Sequence, residues 1–89
     1  MTDYLSCMKQ NKMRPTNAAN AIAAGLVRSG RARNRSERVG DMIRIERYAG
    51  GYYWLDLNGG ELRQGTSLLD AEPLQPSFVA AMMKAGRAH

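Results

Sequence analysis

The fold is decided by residues 41–63, DMIRIERYAGGYYWLDLNGGELR, in which two alternating segments are separated by glycines. Apolar residues alternate with polar or aromatic ones in 42–48 and again in 52–57. A period of two is typical of strands that place one face on a core. The stretch therefore predicts two antiparallel strands joined by a glycine turn, with a third strand after the next glycine pair.

The register of the first hairpin depends on its turn, residues 49–51. A two-residue loop would place Ile45 beside Asp56 and send the apolar residues to opposite faces. A three-residue loop pairs Ile45 with Leu55 and Arg44 with Asp56, which keeps the apolar residues together. We therefore expect the three-residue loop.

The second hairpin leaves two alternatives open. A two-residue turn at Asn58 and Gly59 pairs Leu55 with Leu62 and Trp54 with Arg63. A four-residue loop keeps the same faces and pairs Asp56 with Arg63 instead. Both place the same side chains toward the core.

Helical patterns flank the strands. Residues 15–30, PTNAANAIAAGLVRSG, have Thr16 or Asn17 as a candidate N-cap, and Gly25 inside the helix indicates close approach to another backbone. Residues 74–86, LQPSFVAAMMKAG, predict a second helix with Pro76 in its first turn, Lys84 in its last turn and Gly86 beyond its end. This helix is apolar over more than half of its circumference. This excess of apolar surface indicates either a helix packed between the sheet and the first helix or a homodimer interface.

Together these elements predict one α+β domain spanning residues 1–89. The expected order is an N-terminal helix, a three-stranded antiparallel meander and a short C-terminal helix. Residues 1–14 are expected to be flexible, and residues 30–40 are expected to form a basic linker. At 89 residues the chain has little core to divide between domains.

The net charge of +5 is concentrated in one half of the chain. Residues 1–39 hold eight Lys or Arg against two acidic residues, whereas residues 40–89 hold five against six. Five of these basic residues lie at the end of this half, in residues 28–38, RSGRARNRSER: Arg28, Arg31, Arg33, Arg35 and Arg38. Such a cluster is an electrostatic footprint for phosphate, an acidic protein surface or anionic lipid. We expect these arginines to form a nucleic-acid or polyanion site, with a solvated linker as the structural alternative.

An aromatic face is the second candidate site. The predicted register places on the side opposite the core a set of aromatic and basic residues: Tyr48, Tyr52, Trp54, Arg44 and Arg63. Rings interleaved with arginines suit stacking of unpaired bases, and they also suit a protein interface. The structural alternative is that these cross-strand pairs only stabilise the sheet.

The sequence carries no recognisable catalytic, metal-binding or cofactor-binding signature, so we do not expect an enzyme. Cys7 and His89 lie near opposite ends of the chain, so the sequence offers no metal quartet and no Cys/His dyad. The glycine pairs precede strands rather than helices and are therefore not phosphate loops. No apolar run reaches the roughly 20 residues that span a bilayer, and the N-terminus lacks signal-peptide order. We expect a cytoplasmic protein with no membrane contact.

Two functional hypotheses follow. The first is a small non-enzymatic module, homodimeric, that contacts DNA or RNA through the arginine segment with weak sequence preference. The second is a protein-interaction module that uses the aromatic face. The abundance of Ala, Arg and Gly also suits a phage or mobile-element accessory protein.

Overall fold

The computed structural model describes residues 16–58 and 61–88 and has an α+β architecture. Its elements are α1 (Asn17–Arg28), β1 (Ala32–Val39), β2 (Met42–Arg47), β3 (Tyr52–Asp56), β4 (Leu62–Gly65), β5 (Glu72–Pro73) and α2 (Pro76–Arg87). The five strands form one antiparallel sheet in chain order, from β1 to β5. The α+β class is confirmed, but the expected count of three strands is wrong. The expectation for residues 1–14 lies outside the described residues.

The segment that was expected to be a basic linker contains β1. Ala32 is buried, but the other seven residues of the strand are exposed, so the sequence has no apolar alternation to mark it. Its backbone pairs with β2, from Val39 opposite Met42 to Ala32 opposite Arg47. Exposed charge is typical of an edge strand, because it discourages pairing with other chains.

The first hairpin has a three-residue loop, but it is displaced by one position from the expected one. The Arg47 amide donates to the Gly51 carbonyl, and the Gly50 amide donates to the Arg47 carbonyl, both at 3.1 Å. The third loop position needs a left-handed backbone, which Gly50 supplies with φ +103°. The loop therefore spans residues 48–50.

This displacement changes the strand register by two residues. Ile45 lies opposite Tyr53 rather than Leu55, and Arg44 lies opposite Trp54 rather than Asp56. Because the change is even, every side chain keeps its expected face.

The second hairpin has the pairing that a two-residue turn produces. Leu55 lies opposite Leu62, and Trp54 lies opposite Arg63. Residues 59 and 60, at this turn, lie outside the described residues. The fifth strand continues the meander with Pro73 opposite Arg63, at the far edge of the sheet.

Helix α1 begins at a side-chain N-cap, whereas among the described residues the start of α2 has no side-chain cap hydrogen bond. The Thr16 hydroxyl accepts from the Ala19 amide at 3.1 Å, which confirms Thr16 as the N-cap of α1. Helix α2 has Pro76 in its first turn, as expected, but it continues through Gly86 to Arg87. In the part of the chain that the structure describes, neither helix is long and apolar enough to cross a bilayer.

Gly86 lies inside α2 because the two helices cross there. A Cβ atom at Gly86 would overlap the Ala21 carbonyl, and one at Gly25 would overlap the Met82 carbonyl. At the crossing, a glycine of each helix thus packs directly against the backbone of the other helix. The expectation that Gly25 marks close approach to another backbone is confirmed.

The core lies between this helix pair and the inner face of the sheet. Its largest fully buried side chains are Ile22, Leu26, Ile45, Leu55, Leu57 and Leu62. Met82 joins the core from α2, with Phe78, Val79 and Met83 partly buried against it. Beside this core, every residue of β1 after Ala32 is exposed.

Candidate functional site

The arginine segment and the aromatic hairpin, which were two separate predictions, meet on one surface. The guanidinium carbon of Arg33 lies 4.6 Å from the centre of the Tyr48 ring, a distance typical of a cation–π contact. Tyr48 is 58% exposed at the hairpin loop. Pairing of β1 with β2 produces this contact, so it depends on the strand that the sequence did not reveal.

Arg33 and Arg35 share one carboxylate. Arg33 Nε lies 3.9 Å from Glu46 Oε2, and Arg35 Nη1 lies 3.7 Å from Glu46 Oε1. The side chains of Arg33 and Arg35 remain 50% and 80% exposed. Two cations against one anion leave an excess of positive charge at the open edge of the sheet. Solvent-exposed pairs of this kind contribute about 0 to 1 kcal/mol, so breaking them costs little free energy.

Arg44 anchors the neighbouring part of the same face. It forms an ion pair with Glu37 of β1. Its guanidinium carbon also lies 4.6 Å from the Tyr52 ring centre and 6.0 Å from that of Trp54. The face is therefore a layer of alternating rings and charges across β1, β2 and β3.

Trp54 is part of that layer but is only 5% exposed. Its indole Nε1 donates to the Gly65 carbonyl at 3.0 Å, and its ring meets Tyr52 edge-on with the centroids 6.0 Å apart. A stacking platform needs an open ring face, so Trp54 contributes rigidity here rather than a free surface. Tyr48 is the more accessible ring of the predicted face.

Arg28 and Arg31 contact α2 instead of extending the charged edge. Arg28 Nη1 donates to three carbonyl oxygens at the C-terminus of α2: Ala85, Gly86 and Ala88. A cation at that position complements the helix dipole. The guanidinium carbon of Arg31 lies 5.3 Å from the Phe78 ring centre. Both arginines therefore join α1 and the start of β1 to the second helix.

The remaining predicted residues lie at the two ends of the sheet surface. Arg38 Nε donates to the Gly40 carbonyl at 2.9 Å, in the turn between β1 and β2. Arg63 Nη2 lies 3.4 Å from Glu61 Oε2. The structure thus groups Arg33, Arg35 and Tyr48, and it separates them from Arg63.

A cleft opens between α1 and β1. Along β1 the pairing passes from Ala32 opposite Arg47 to Ser36 opposite Ile45, so four steps on β1 match two on β2. This bulge displaces residues 33–35 from the regular ladder. The helix side of the cleft has Ala23, Ala24, Val27 and Arg28. Its strand side has Arg33, Asn34 and Arg35. Sequence reasoning named Arg28 but missed the apolar residues of the helix side and Asn34, because no sequence pattern marks a bulge in an exposed strand.

A second concavity runs along the outer side of α2. It is an apolar groove between that helix and strands β4 and β5, lined by Leu62, Pro73, Leu74, Val79, Ala80 and Met83. An adjoining hollow continues to Lys84 and Arg87. This groove holds the apolar excess of α2 that the sequence indicated.

Within residues 16–58 and 61–88, no three His, Cys, Asp or Glu side chains are placed to hold a metal ion. Comparisons of the chain with protein-family models, with curated proteins and with solved structures find no match.

Proposed function

We propose that the protein is a small non-enzymatic binding module whose β1 arginines contact the phosphates of DNA or RNA. The observation that carries this proposal is the sharing of Glu46 by Arg33 and Arg35, both of which keep at least half of their side-chain surface exposed. A phosphate accepts charge-assisted hydrogen bonds from a guanidinium in the same way as a carboxylate. Phosphates of the nucleic acid would then replace the Glu46 carboxylate, which the two arginines hold only weakly.

The arrangement favours contact with weak sequence preference. Phosphate contacts fix position and orientation but carry no base information. Tyr48 adds an exposed ring beside the arginines, on which a base or ribose can pack. The cytoplasm is the location we propose for such a module.

The proposal is tested by comparing two double variants with wild type for binding to a fluorescein-labelled 20-nucleotide strand and its duplex. Arg33→Ala/Arg35→Ala removes the two shared cations and should lower affinity by about tenfold or more at low salt. Arg63→Ala/Arg87→Ala removes the same charge away from β1 and should change affinity far less. Equal losses of affinity in both variants would show that binding depends on the net charge of the protein and not on a site at β1. Unchanged affinity in both variants would discard the proposal.

A second candidate function is self-association, which the apolar groove beside α2 favours. One end of the groove carries Glu61, and the hollow that continues it carries Lys84 and Arg87. A second copy placed antiparallel across a twofold axis brings Glu61 of each chain toward these cations of the other. We therefore propose a homodimer with Ala80 and Met83 at its centre.

Ala80→Glu tests this dimer because it places a charge in the groove, whereas Ala81→Glu places the same charge on an exposed part of α2 outside the groove. Light scattering after size exclusion should give a dimer mass for wild type and Ala81→Glu and a monomer mass for Ala80→Glu. A monomeric wild type would overturn the dimer and leave the arginine proposal untouched.

A further inference from the structure

The cleft between α1 and β1 combines an apolar surface with a cationic one. Phosphate binding alone would require only the cationic surface. Its helix side has the apolar residues Ala23, Ala24 and Val27 together with Arg28, whose guanidinium donates to carbonyls of α2, and Ile45 contributes to its sheet side. Arg33 and Arg35 line its strand side, and their guanidinium groups lie 3.9 Å and 3.7 Å from the Glu46 carboxylate. Both arginine side chains stay at least half exposed, so they are accessible to a ligand that occupies the cleft.

The polar groups between these surfaces are able to make directional contacts. Asn34 and Ser36 line the cleft within and just beyond the bulge. An amide side chain offers both donors and an acceptor, and a hydroxyl offers one of each. A ligand that fits must therefore have a flat or apolar part with polar edges, joined to negative charge.

From this combination we infer that the cleft receives an unpaired base of a single-stranded nucleic acid while Arg33 and Arg35 hold the adjoining phosphates. The inference rests on the proposed function and narrows it to single strands. A duplex hides its base faces by stacking, and inorganic polyphosphate has no bases, so neither ligand uses the apolar side of the cleft. Single-stranded ligands offer a base and phosphates together, and proteins read them through splayed bases.

Small side chains on α1 are what leave the cleft open. Ala24 is half-buried on the helix side, and a larger side chain there fills space without changing charge. Asn20 is exposed on the same helix and does not line the cleft. Ala24→Leu and Asn20→Leu therefore form a matched pair, in which only the first blocks the proposed base site.

The experiment measures the affinity of wild type and both variants, at one low salt concentration, for four probes: a labelled single strand, the same strand with abasic positions, its duplex, and polyphosphate. We expect Ala24→Leu to weaken binding of the intact strand about fivefold or more, in line with the loss of a base contact. Binding of the other three probes should stay within about twofold, and Asn20→Leu should match wild type throughout. Wild type should bind the abasic strand about as weakly as Ala24→Leu binds the intact one.

A second measurement covers the case in which Ala24→Leu does not fold. Methyl resonances of Ala24 and Val27 in the wild-type protein should shift when the intact strand is added and should stay in place with the abasic strand. Equal affinity of wild type for intact and abasic strands, or unmoved methyl resonances, would overturn the base site while the arginine proposal stands. Absence of binding to every probe would overturn the inference together with the proposed function.

Discussion

The guanidinium carbon of Arg33 lies 4.6 Å from the centre of the Tyr48 ring, which joins the arginine-rich edge strand to the aromatic hairpin loop. Both groups are accessible, so the contact should be modest in free energy. We predict a coupling of about 0.5 to 1 kcal/mol in a double-mutant cycle of Arg33→Ala and Tyr48→Ala, measured by urea unfolding. A coupling of zero would mean that the two side chains do not stabilise each other in solution.

Because the two helices cross at Gly25 and Gly86, replacing either glycine with alanine should destabilise the protein. The same replacement stabilises a free helix. Alanine is favoured over glycine in a free helix by up to about 1 kcal/mol, but a Cβ at Gly25 or Gly86 overlaps backbone of the other helix. Gly25→Ala and Gly86→Ala should each lower the free energy of unfolding by about 1 to 3 kcal/mol. Asn20→Ala, on the exposed side of α1, is the control and should be neutral or slightly stabilising. Stabilisation by Gly25→Ala would contradict the crossing.

Arg28 should stabilise the protein by capping the C-terminus of α2. Its Nη1 donates to the Gly86 carbonyl at 2.8 Å and also reaches the carbonyls of Ala85 and Ala88. Arg28→Met keeps the aliphatic stem and removes these hydrogen bonds, and it should cost about 1 to 2 kcal/mol of unfolding free energy. Amide hydrogen exchange in the last turn of α2 should accelerate while that of the sheet core does not. Unchanged exchange in this turn would show that Arg28 does not cap the helix.

Trp54 is predicted to report a buried environment. At 5% exposure its emission should lie to the blue of free tryptophan and should resist iodide quenching. Trp54→Phe removes the hydrogen bond to the Gly65 carbonyl and should destabilise the fold by about 1 kcal/mol. Emission and quenching like those of free tryptophan would place the ring on the surface and restore it as a stacking platform.

Two leucines should differ sharply in their response to truncation. Leu55 is fully buried in the core, so Leu55→Ala should cost about 2 to 5 kcal/mol. Leu69 is 98% exposed in the turn before β5, so Leu69→Ala should stay within about 0.5 kcal/mol. Thermal or urea unfolding compares them directly. A large loss for Leu69→Ala would imply that this turn packs against something other than the described residues.

The sequence predicted the elements whose side chains repeat with a clear period. Ile43, Ile45 and Leu55 repeat with a period of two because they share the face of β2 and β3 that meets the core. Thr16 is visible as an N-cap because its hydroxyl satisfies a free amide. The same logic identified Gly25, whose cost inside a helix has to be offset by close packing.

The elements that were missed are held by the backbone rather than by side-chain burial. β1 has one buried residue, Ala32, and β5 has two residues, one of them a proline at the sheet edge. The hairpin register was wrong by two because either glycine can serve in the loop, and only tertiary pairing selects Gly50. The cleft depends on a bulge in β1, so the sequence could show its arginines but not the helix residues that face them.

The central claim is that Arg33 and Arg35 neutralise nucleic-acid phosphates, and the salt dependence of binding tests it most directly. For a single strand, each neutralised phosphate contributes about −0.7 to the slope of log affinity against log salt. The account predicts that Arg33→Ala/Arg35→Ala makes this slope shallower by about 1.4 relative to wild type, whereas Arg63→Ala/Arg87→Ala leaves it nearly unchanged. A slope that is the same in wild type and Arg33→Ala/Arg35→Ala would contradict the account.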